Sequence, residues 1–254
     1  SLIFVSAGTG KVGKRIAQRL QALGHPVRIG SRSATIPFDW KERSTWAPTL
    51  AQVRAAFISY VPDLAVPGAS ADIEAFCQEA KQNGVERLVL LSGRGETEAQ
   101  QCERIVQQSG LRWTVCRAGW FMQNLSEAFM HDMVLNGTVA LPAGAIQEPF
   151  IDCDDIADVA SAALIDDRHQ GLLYEITVTE LLSFHDVAKQ LSSVLERPLT
   201  YQPLNMEQFM SALAAHQVPD TYQWLLNYLF PEVLDGRNAE ISNGVQRARG
   251  RGPG

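Results

Sequence analysis

An α/β fold built on a doubly wound parallel sheet is the class this sequence predicts, and three observations predict it. Short apolar runs alternate with helical patterns as far as Arg117. The first of these runs is apolar at every position, as a strand covered on both faces is. A glycine run separates the first of them from the first helix.

Leu2 to Val5 is the first run. Val12, Ile16 and Leu20 then recur every fourth residue, with Ala17 and Leu23 beside them, giving one helical face that Gly24 closes. Val27 to Gly30 is a second strand, so the glycine run lies inside a β-α-β unit. Thr35 to Asp39 is expected to be a short strand, Ser44 to Val53 a helix and Ala55 to Val61 an apolar strand. Ser70 to Asn83 reads as a helix closed by Gly84, and Arg87 to Ser92 as another buried strand. Glu96 to Ser109 is a helix closed by Gly110, and Trp113 to Arg117 a sixth strand. Strands alternating with helices in this way predict a Rossmann-type sheet.

Past Gly119 the rhythm changes. A helix over Met122 to Leu135 is expected, with short strands near Thr138 and Phe150. Asp155 to Ile165 is a helix begun by acids at its positive end. Leu172 to Val178 and Leu199 to Leu204 read as strands flanking a helix from Ser183 to Leu195, and 205–234 is helical and rich in aromatics. The expected division is a nucleotide-binding core over 1–119 and a smaller α/β lobe over 120–254. The lobe is interleaved with the core, and a flexible tail lies near 243–254.

The composition, 46% hydrophobic and 20% charged over 254 residues, is that of an ordinary globular chain with room for one large domain and a lobe. A net charge of -6 argues against a nucleic-acid surface, which needs a dense basic patch. The basic cluster of Arg247, Arg249 and Arg251 lies in a glycine-rich stretch and reads as a solvated terminus. Cys77, Cys102, Cys116 and Cys153 have no paired spacing, so reduced thiols and a cytoplasmic location are expected. No signal-peptide pattern precedes the first strand, and no apolar run reaches the ~18 residues of a membrane span. A monomer or a homodimer is expected. The five histidines are scattered, and Asp152, Asp154, Asp155 and Asp158 suit helix capping better than metal ligation, so no metal is expected.

The glycine run reads Gly8-Thr9-Gly10-Lys11-Val12-Gly13. Such a run alone is weak evidence, but a strand before it, a helix after it and a second strand beyond are the context a dinucleotide site requires. Gly10 lets the backbone approach a pyrophosphate, and Gly13 lets the helix pack close to the strand. The helix N-terminus offers free N–H groups and partial positive charge, to which Lys11 adds a full one. An NAD site usually places an acid at the end of the second strand. Here that position reads Ser31-Arg32-Ser33, and no acid occurs between Gly13 and Asp39. A guanidinium fork with the Ser31 hydroxyl beside it suits a 2′-phosphate, so NADP(H) is favoured over NAD(H). The alternative for Arg32 is an ordinary solvated loop arginine.

Many short-chain dehydrogenases carry a Tyr-x-x-x-Lys pair on the helix after the fifth strand. The corresponding helix here contains neither residue. Ser92 stands at the strand end without those partners and without a nucleophile-elbow sequence around it. A sugar-nucleotide epimerase is disfavoured, because it normally uses that tyrosine for proton transfer. Trp120 and Phe121 follow the sixth strand at the carboxyl edge, where aromatic faces hold a flat cation or simply fill the core. Tyr222, Trp224, Tyr228 and Phe230 carry the same ambiguity, with packing expected for most and one or two facing a pocket.

The segments "SAGTGKVG", "GSRS", "FDW" with "STW", "ISYVPDL", "GVERLVLLS", "GLRWTVCRAGWFMQN", "PFIDCDDIADVASAAL" and "LLSFHDVAKQLSSVLERPL" occur in the order seen in NmrA-like atypical short-chain dehydrogenases. The chain resembles that family nearly end to end, and within it the ergot-alkaloid (agroclavine and festuclavine) dehydrogenase type and its bacterial relatives. The resemblance implies an NADP(H)-binding Rossmann core with a substrate lobe. It implies a phosphate loop over Gly8 to Gly13, Arg32 on the 2′-phosphate, and Tyr60, Val61, Pro62, Ser92 and Gly93 along the cofactor. Trp120, Phe121 and Asn124 would border nicotinamide and substrate. The chain has Ala7 where the family usually has glycine, a methyl that crowds the turn unless Gly8 compensates. Two functions follow as expectations. One is an NAD(P)H-dependent reductase of a flat, electron-poor molecule such as an iminium, a quinone or a cationic dye. The other is a non-catalytic NADP(H)-sensing regulator. The missing Tyr/Lys pair fits both; the aromatic pair and the sizeable lobe favour the enzyme.

Overall fold

The computed structural model describes residues 1–254. The first half runs β1 (Leu2–Ser6), α1 (Lys11–Ala22), β2 (Val27–Gly30), α2 (Trp46–Leu50), β3 (Val53–Ile58), α3 (Ala69–Gln82), β4 (Arg87–Gly93), α4 (Thr97–Gln108) and β5 (Arg112–Ala118). The second half runs α5 (His131–Leu135), β6 (Thr138–Leu141), β7 (Gln147–Glu148), α6 (Cys153–Ile165), β8 (Leu172–Ile176), β9 (Leu182–Ser183), α7 (Phe184–Val194), β10 (Thr200–Pro203), α8 (Met206–Ala215), α9 (Asp220–Val233) and α10 (Gly244–Arg249).

One six-stranded parallel sheet, in the order β2-β1-β3-β4-β5-β8, carries the fold. Apolar side chains cover both faces of it. On one, α2, α3 and α4 bury Leu50, Phe76 and Val106 against Phe4, Ile58 and Leu90. On the other, α1, α6 and α10 bury Ile16, Ile156 and Val245 against Val5, Phe57 and Val89. A third cluster, centred on Phe150, Phe184, Phe209 and Phe230, holds the lobe together from β10, α5, α7, α8 and α9.

Thr35 to Asp39, expected as a strand, is irregular. Its aromatic residues plug the core instead of joining the ladder. Phe38 and Trp40 drop beside Trp46 and Phe76 with ring centroids 5.0–6.5 Å apart. The indole N–H groups of Trp40 and Trp46 are satisfied by the carbonyls of Ser59 and Asp39. Pro37 has no N–H to give a sheet. The sixth strand of the sheet is β8, which pairs with β5 from the far side of the sequence. Met122 to Leu135 also departs from the expected helix, forming a 3₁₀ turn at Met122–Asn124 and only the short α5.

The acids before and within α6 serve as cap and clamp. Asp152 accepts from the Asp154 N–H at 2.6 Å, and Asp154 and Asp158 pair with Arg15 and Arg19 of α1. At the end of the chain, α10 buries Val245, and a Cβ on Gly244 would overlap the Glu175 carbonyl. Arg251 pairs with Asp155 and Asp158. The stretch expected to be a mobile tail is thus folded onto α6 and β8. All four cysteines are buried free thiols, and no helix is long and apolar enough to cross a membrane.

Glu148 is 1% exposed, and neither carboxylate oxygen has a hydrogen-bond partner. Burial pushes its carboxyl up to about 7, against a smaller downward pull from Arg94. An unfolded glutamate ionises near ~4.3, so the folded state holds this proton more tightly and stability falls as pH rises through that interval. Glu148→Gln removes the titration. Its thermal midpoint is expected to exceed that of the unmodified protein by a few degrees above about pH 7, with the advantage shrinking toward pH 5. Thermal melts of both proteins across that range check it.

Candidate active site at the carboxyl edge of the sheet

The loop from β1 to α1 is shaped by two contacts. A Cβ on Gly13 would overlap the Ala7 carbonyl, so only glycine lets α1 cross β1 this closely. A Cβ on Gly8 would stand 2.8 Å from the Ile29 side chain and 3.0 Å from the Val5 carbonyl. Ala7 itself takes φ 48°, in the left-handed region that favours glycine, a conformation costing a non-glycine residue about 1–2 kcal/mol. The consequence of Ala7 is therefore backbone strain, and Gly8 answers a separate steric need. Gly10 caps α1 without a side-chain acceptor, and the first turn holds no acid. Thr9, Gly10, Lys11 and Val12 thus surround an uncompensated helix N-terminus, the electrostatic condition for holding a phosphate. Burial lowers the pKa of the Lys11 ammonium, which forms no ion pair of its own.

Arg32 follows β2, exposed and free of any side-chain hydrogen bond or ion pair, while Ser31 Oγ lies 3.1 Å from Ser33 Oγ. The next acid, Asp39, is committed to the Lys41 N–H.

A cavity of about 550 Å³ opens between the carboxyl ends of β3, β4 and β5 and the lobe helices α8 and α9. Lys11, Tyr60, Pro62, Ser92, Gly93, Trp120, Phe121 and Asn124 all line it. The glycines of the loop, Ser31, Arg32 and Val61 lie outside it. Each lining group is held by the fold. Tyr60 donates to Asp72 at 2.6 Å, and burial followed by that carboxylate pushes its phenol up. Ser92 donates to Glu103 Oε1 at 2.6 Å. Glu103 in turn accepts from Arg117, which also reaches Glu175. The strand-end loop carrying Trp120 and Phe121 is stitched to Ile151 by two backbone hydrogen bonds. Gln123 ties it to Asp152 and to the Cys153 N–H. Trp120 packs on Phe184 and Phe230 while one side reaches the cavity, so it both packs and lines. Of the four lobe aromatics singled out in the sequence, Tyr222 alone lines the cavity. Trp224 and Tyr228 stack on each other, and Phe230 is core.

Two further cavity residues escape sequence reasoning. Asp63, in the loop after β3, accepts the Ala65 N–H at 2.8 Å. Glu96, after β4, is 8% exposed and lies so close to Gly93 that a Cβ there would collide with its carboxyl. The two carboxyls lie close enough in the cavity wall to act on one another. Burial, then the charge of Asp63, holds Glu96 well above the usual carboxylate range. Nothing in their spacing couples them; they meet because β3 and β4 are neighbours in the sheet. The usable signal is that each follows a buried strand at the edge where ligands gather.

The NmrA-like family model matches residues 98–248. The chain belongs to the NmrA-like family. It is 30% identical to an uncharacterized oxidoreductase, YesF, of Bacillus subtilis, over 99% of this chain and 91% of that protein. It is 28% identical to festuclavine dehydrogenase of Aspergillus fumigatus, over 99% and 93%. The NADP(H) complex of Citrobacter sp. triphenylmethane reductase superposes with a TM-score of 0.79 over 100% of this chain and 97% of that one, at 16% identity, a likeness of fold. In this NmrA-like protein the fold is of the NAD(P)-binding Rossmann type, and its relatives include oxidoreductases.

The glycines divide by what they protect. Gly13→Ala forces α1 off the Ala7 carbonyl and is expected to cost about 1–3 kcal/mol of stability. Gly10 is exposed, and a Cβ there meets the Ala7 carbonyl at 3.2 Å, so Gly10→Val is expected to fold while losing nucleotide binding. Thermal melts paired with NADPH fluorescence titration separate the two outcomes. A Gly10→Val variant that binds NADPH normally would remove the loop from the phosphate site.

Proposed function

We propose that this protein is an NADP(H)-dependent reductase of a flat, electron-poor small molecule, an iminium, a quinone or a cationic dye. The observation that carries the reading is the continuity of the uncapped α1 N-terminus with an aromatic-walled cavity at the carboxyl edge of one sheet. In this reading Gly8 to Gly13 hold the pyrophosphate. Ser31 and Arg32 take the 2′-phosphate, and Tyr60, Val61, Pro62, Ser92 and Gly93 run along the cofactor. Trp120, Phe121 and Asn124 border the substrate. The core over 1–119 supplies the first groups, and the half over 120–254 supplies the wall.

The loop fits such a cofactor on its own terms: three glycines where side chains would intrude or collide, no acid in the first helical turn, and a free guanidinium at the end of β2. When bound, a reduced nicotinamide supplies a hydride. The chain's part is to orient the acceptor and exclude water. An iminium or dye cation is already electron-poor at carbon and gives a neutral product, so it needs no protein acid. The helix α4 has neither tyrosine nor lysine, and the Ser92 proton is already given to Glu103. The sensing alternative shares the nucleotide loop but leaves the 550 Å³ cavity without a use.

Two outcomes test the reading. NADPH is expected to bind more tightly than NADH, and Arg32→Ala to erase the difference, which a charge-assisted phosphate contact sets at about 1.5–3 kcal/mol. Equal affinities in the unmodified protein would contradict it. In steady-state reduction of one accepted iminium or dye, Ser92→Ala is expected to lose less than about tenfold in turnover. Trp120→Ala is expected to lose more, because it removes an orienting wall. A loss of about a hundredfold at Ser92 with an unaffected Trp120 variant would restore a serine proton donor.

A further inference from the structure

The cavity wall is mostly apolar and aromatic, and within it Asp63 and Glu96 present two neighbouring carboxyls. Burying an acid without a cation is costly, and folds normally place a lysine or arginine against it. Other acids of this protein keep that rule: Glu103 has Arg117, Asp72 has Arg43 and Lys41, and Asp155 has Arg251, with Glu148, away from the cavity wall, the exception. Asp63 and Glu96 have no ion pair. Burial raises the Asp63 carboxyl as well, opposed by the Ala65 N–H that it accepts. Two carboxyls in one buried site cannot both ionise freely, so the pair retains a shared proton while it faces a space large enough for a fused two- or three-ring molecule.

The surrounding groups do not neutralise it. From α4 come Glu98, Cys102 and Glu103, the first bonded to the Tyr228 hydroxyl of α9 and the last to Arg117. Arg94, in the turn between β4 and Glu96, is turned to Glu175 at 3.4 Å and to the Asn238 carbonyl. Lys11 lines the cavity from α1, and Tyr60 is spent on Asp72. The acids nearest the pair thus add to its negative potential.

From this we infer that the Asp63–Glu96 pair is the cation-recognising element of the cavity, and that it releases its shared proton to solvent when a flat organic cation enters. The exchange balances: one positive charge arrives on the ligand, one proton leaves, and the pair becomes doubly ionised beside the new counter-charge. Asp63 and Glu96 act as specificity residues, and this role rests on the reading of the cavity as the substrate site.

The test uses a matched pair of probes, N-methylquinolinium as a permanent cation and 1-methylnaphthalene as its neutral isostere, titrated into the full protein by fluorescence between about pH 5 and about pH 8. Proton release makes cation affinity climb with pH, by at most about tenfold per unit, while the isostere stays flat. Glu96→Gln is expected to abolish the climb and weaken the cation by about tenfold or more at the upper pH, leaving the isostere unchanged. The double variant Asp63→Asn with Glu96→Gln is expected to lose the preference for the cation altogether. Retained isostere binding shows that the cavity has survived each substitution. Cation affinity independent of pH in the unmodified protein, or a preference that persists in the double variant, would overturn the inference. NADPH titration of the same samples is separate: its failure would overturn the reductase reading, while the matched probes still decide the carboxyls.

Discussion

The contact of α1 with the Ala7 carbonyl, made possible by the missing side chain of Gly13, sets the geometry on which the rest of the site depends. It brings the first turn of α1 to the sheet edge, so that the helix N-terminus and the cavity share one rim. Arg15 and Arg19, a turn and two turns further on, then reach Glu127, Asp154 and Asp158. Through those pairs α1 is tied both to α6 and to the segment that leads from Trp120 toward α5. Surface ion pairs of this kind are individually worth little. Their value here is positional: three elements from distant parts of the sequence are referenced to one helix.

A second constraint lies beneath the cavity. Ser92, Glu103, Arg117 and Glu175 form a chain of charged hydrogen bonds running from β4 through α4 to β5 and β8. Glu103 is 2% exposed, and removing Arg117 would leave its buried charge unmatched. The network fixes the floor and uses up the Ser92 hydroxyl, which is why a serine at a strand end need not be a catalyst. The same physics makes the contrast with Asp63 and Glu96 informative, since those acids lie within the same wall and lack such partners.

What the sequence made legible was whatever depends on local pattern. The β1-α1-β2 unit, the glycine run and the strands Arg87–Ser92 and Trp113–Arg117 are set by near neighbours, and the structure has them where periodicity puts them. The expected strand over Thr35 to Asp39 failed because Phe38 and the neighbouring Trp40 are aromatic plugs whose partners, Phe76 and Trp46, are not visible to a local count. The sixth strand was assigned to the lobe for the same reason: β8 joins β5 after a crossover of more than fifty residues, and only topology reveals it. Arg251 read as part of a solvated terminus because its acids, Asp155 and Asp158, lie about ninety residues away. Ser92, Trp120 and Phe121 were legible as strand-end positions, and Tyr60, Pro62, Gly93 and Asn124 through the family resemblance, whereas the carboxyl pair was not, because adjacency of β3 and β4 creates it.

The claim that carries most weight is that the cavity beside the uncapped helix is a place of direct reduction. Its most direct test is label transfer: NADPH deuterated at nicotinamide C4, an accepted iminium or dye cation, and mass spectrometry of the product. The account predicts one deuterium carried into each product molecule at the reduced carbon, with no exchange into water. Product formed without the label, in the presence of consumed cofactor, would contradict it.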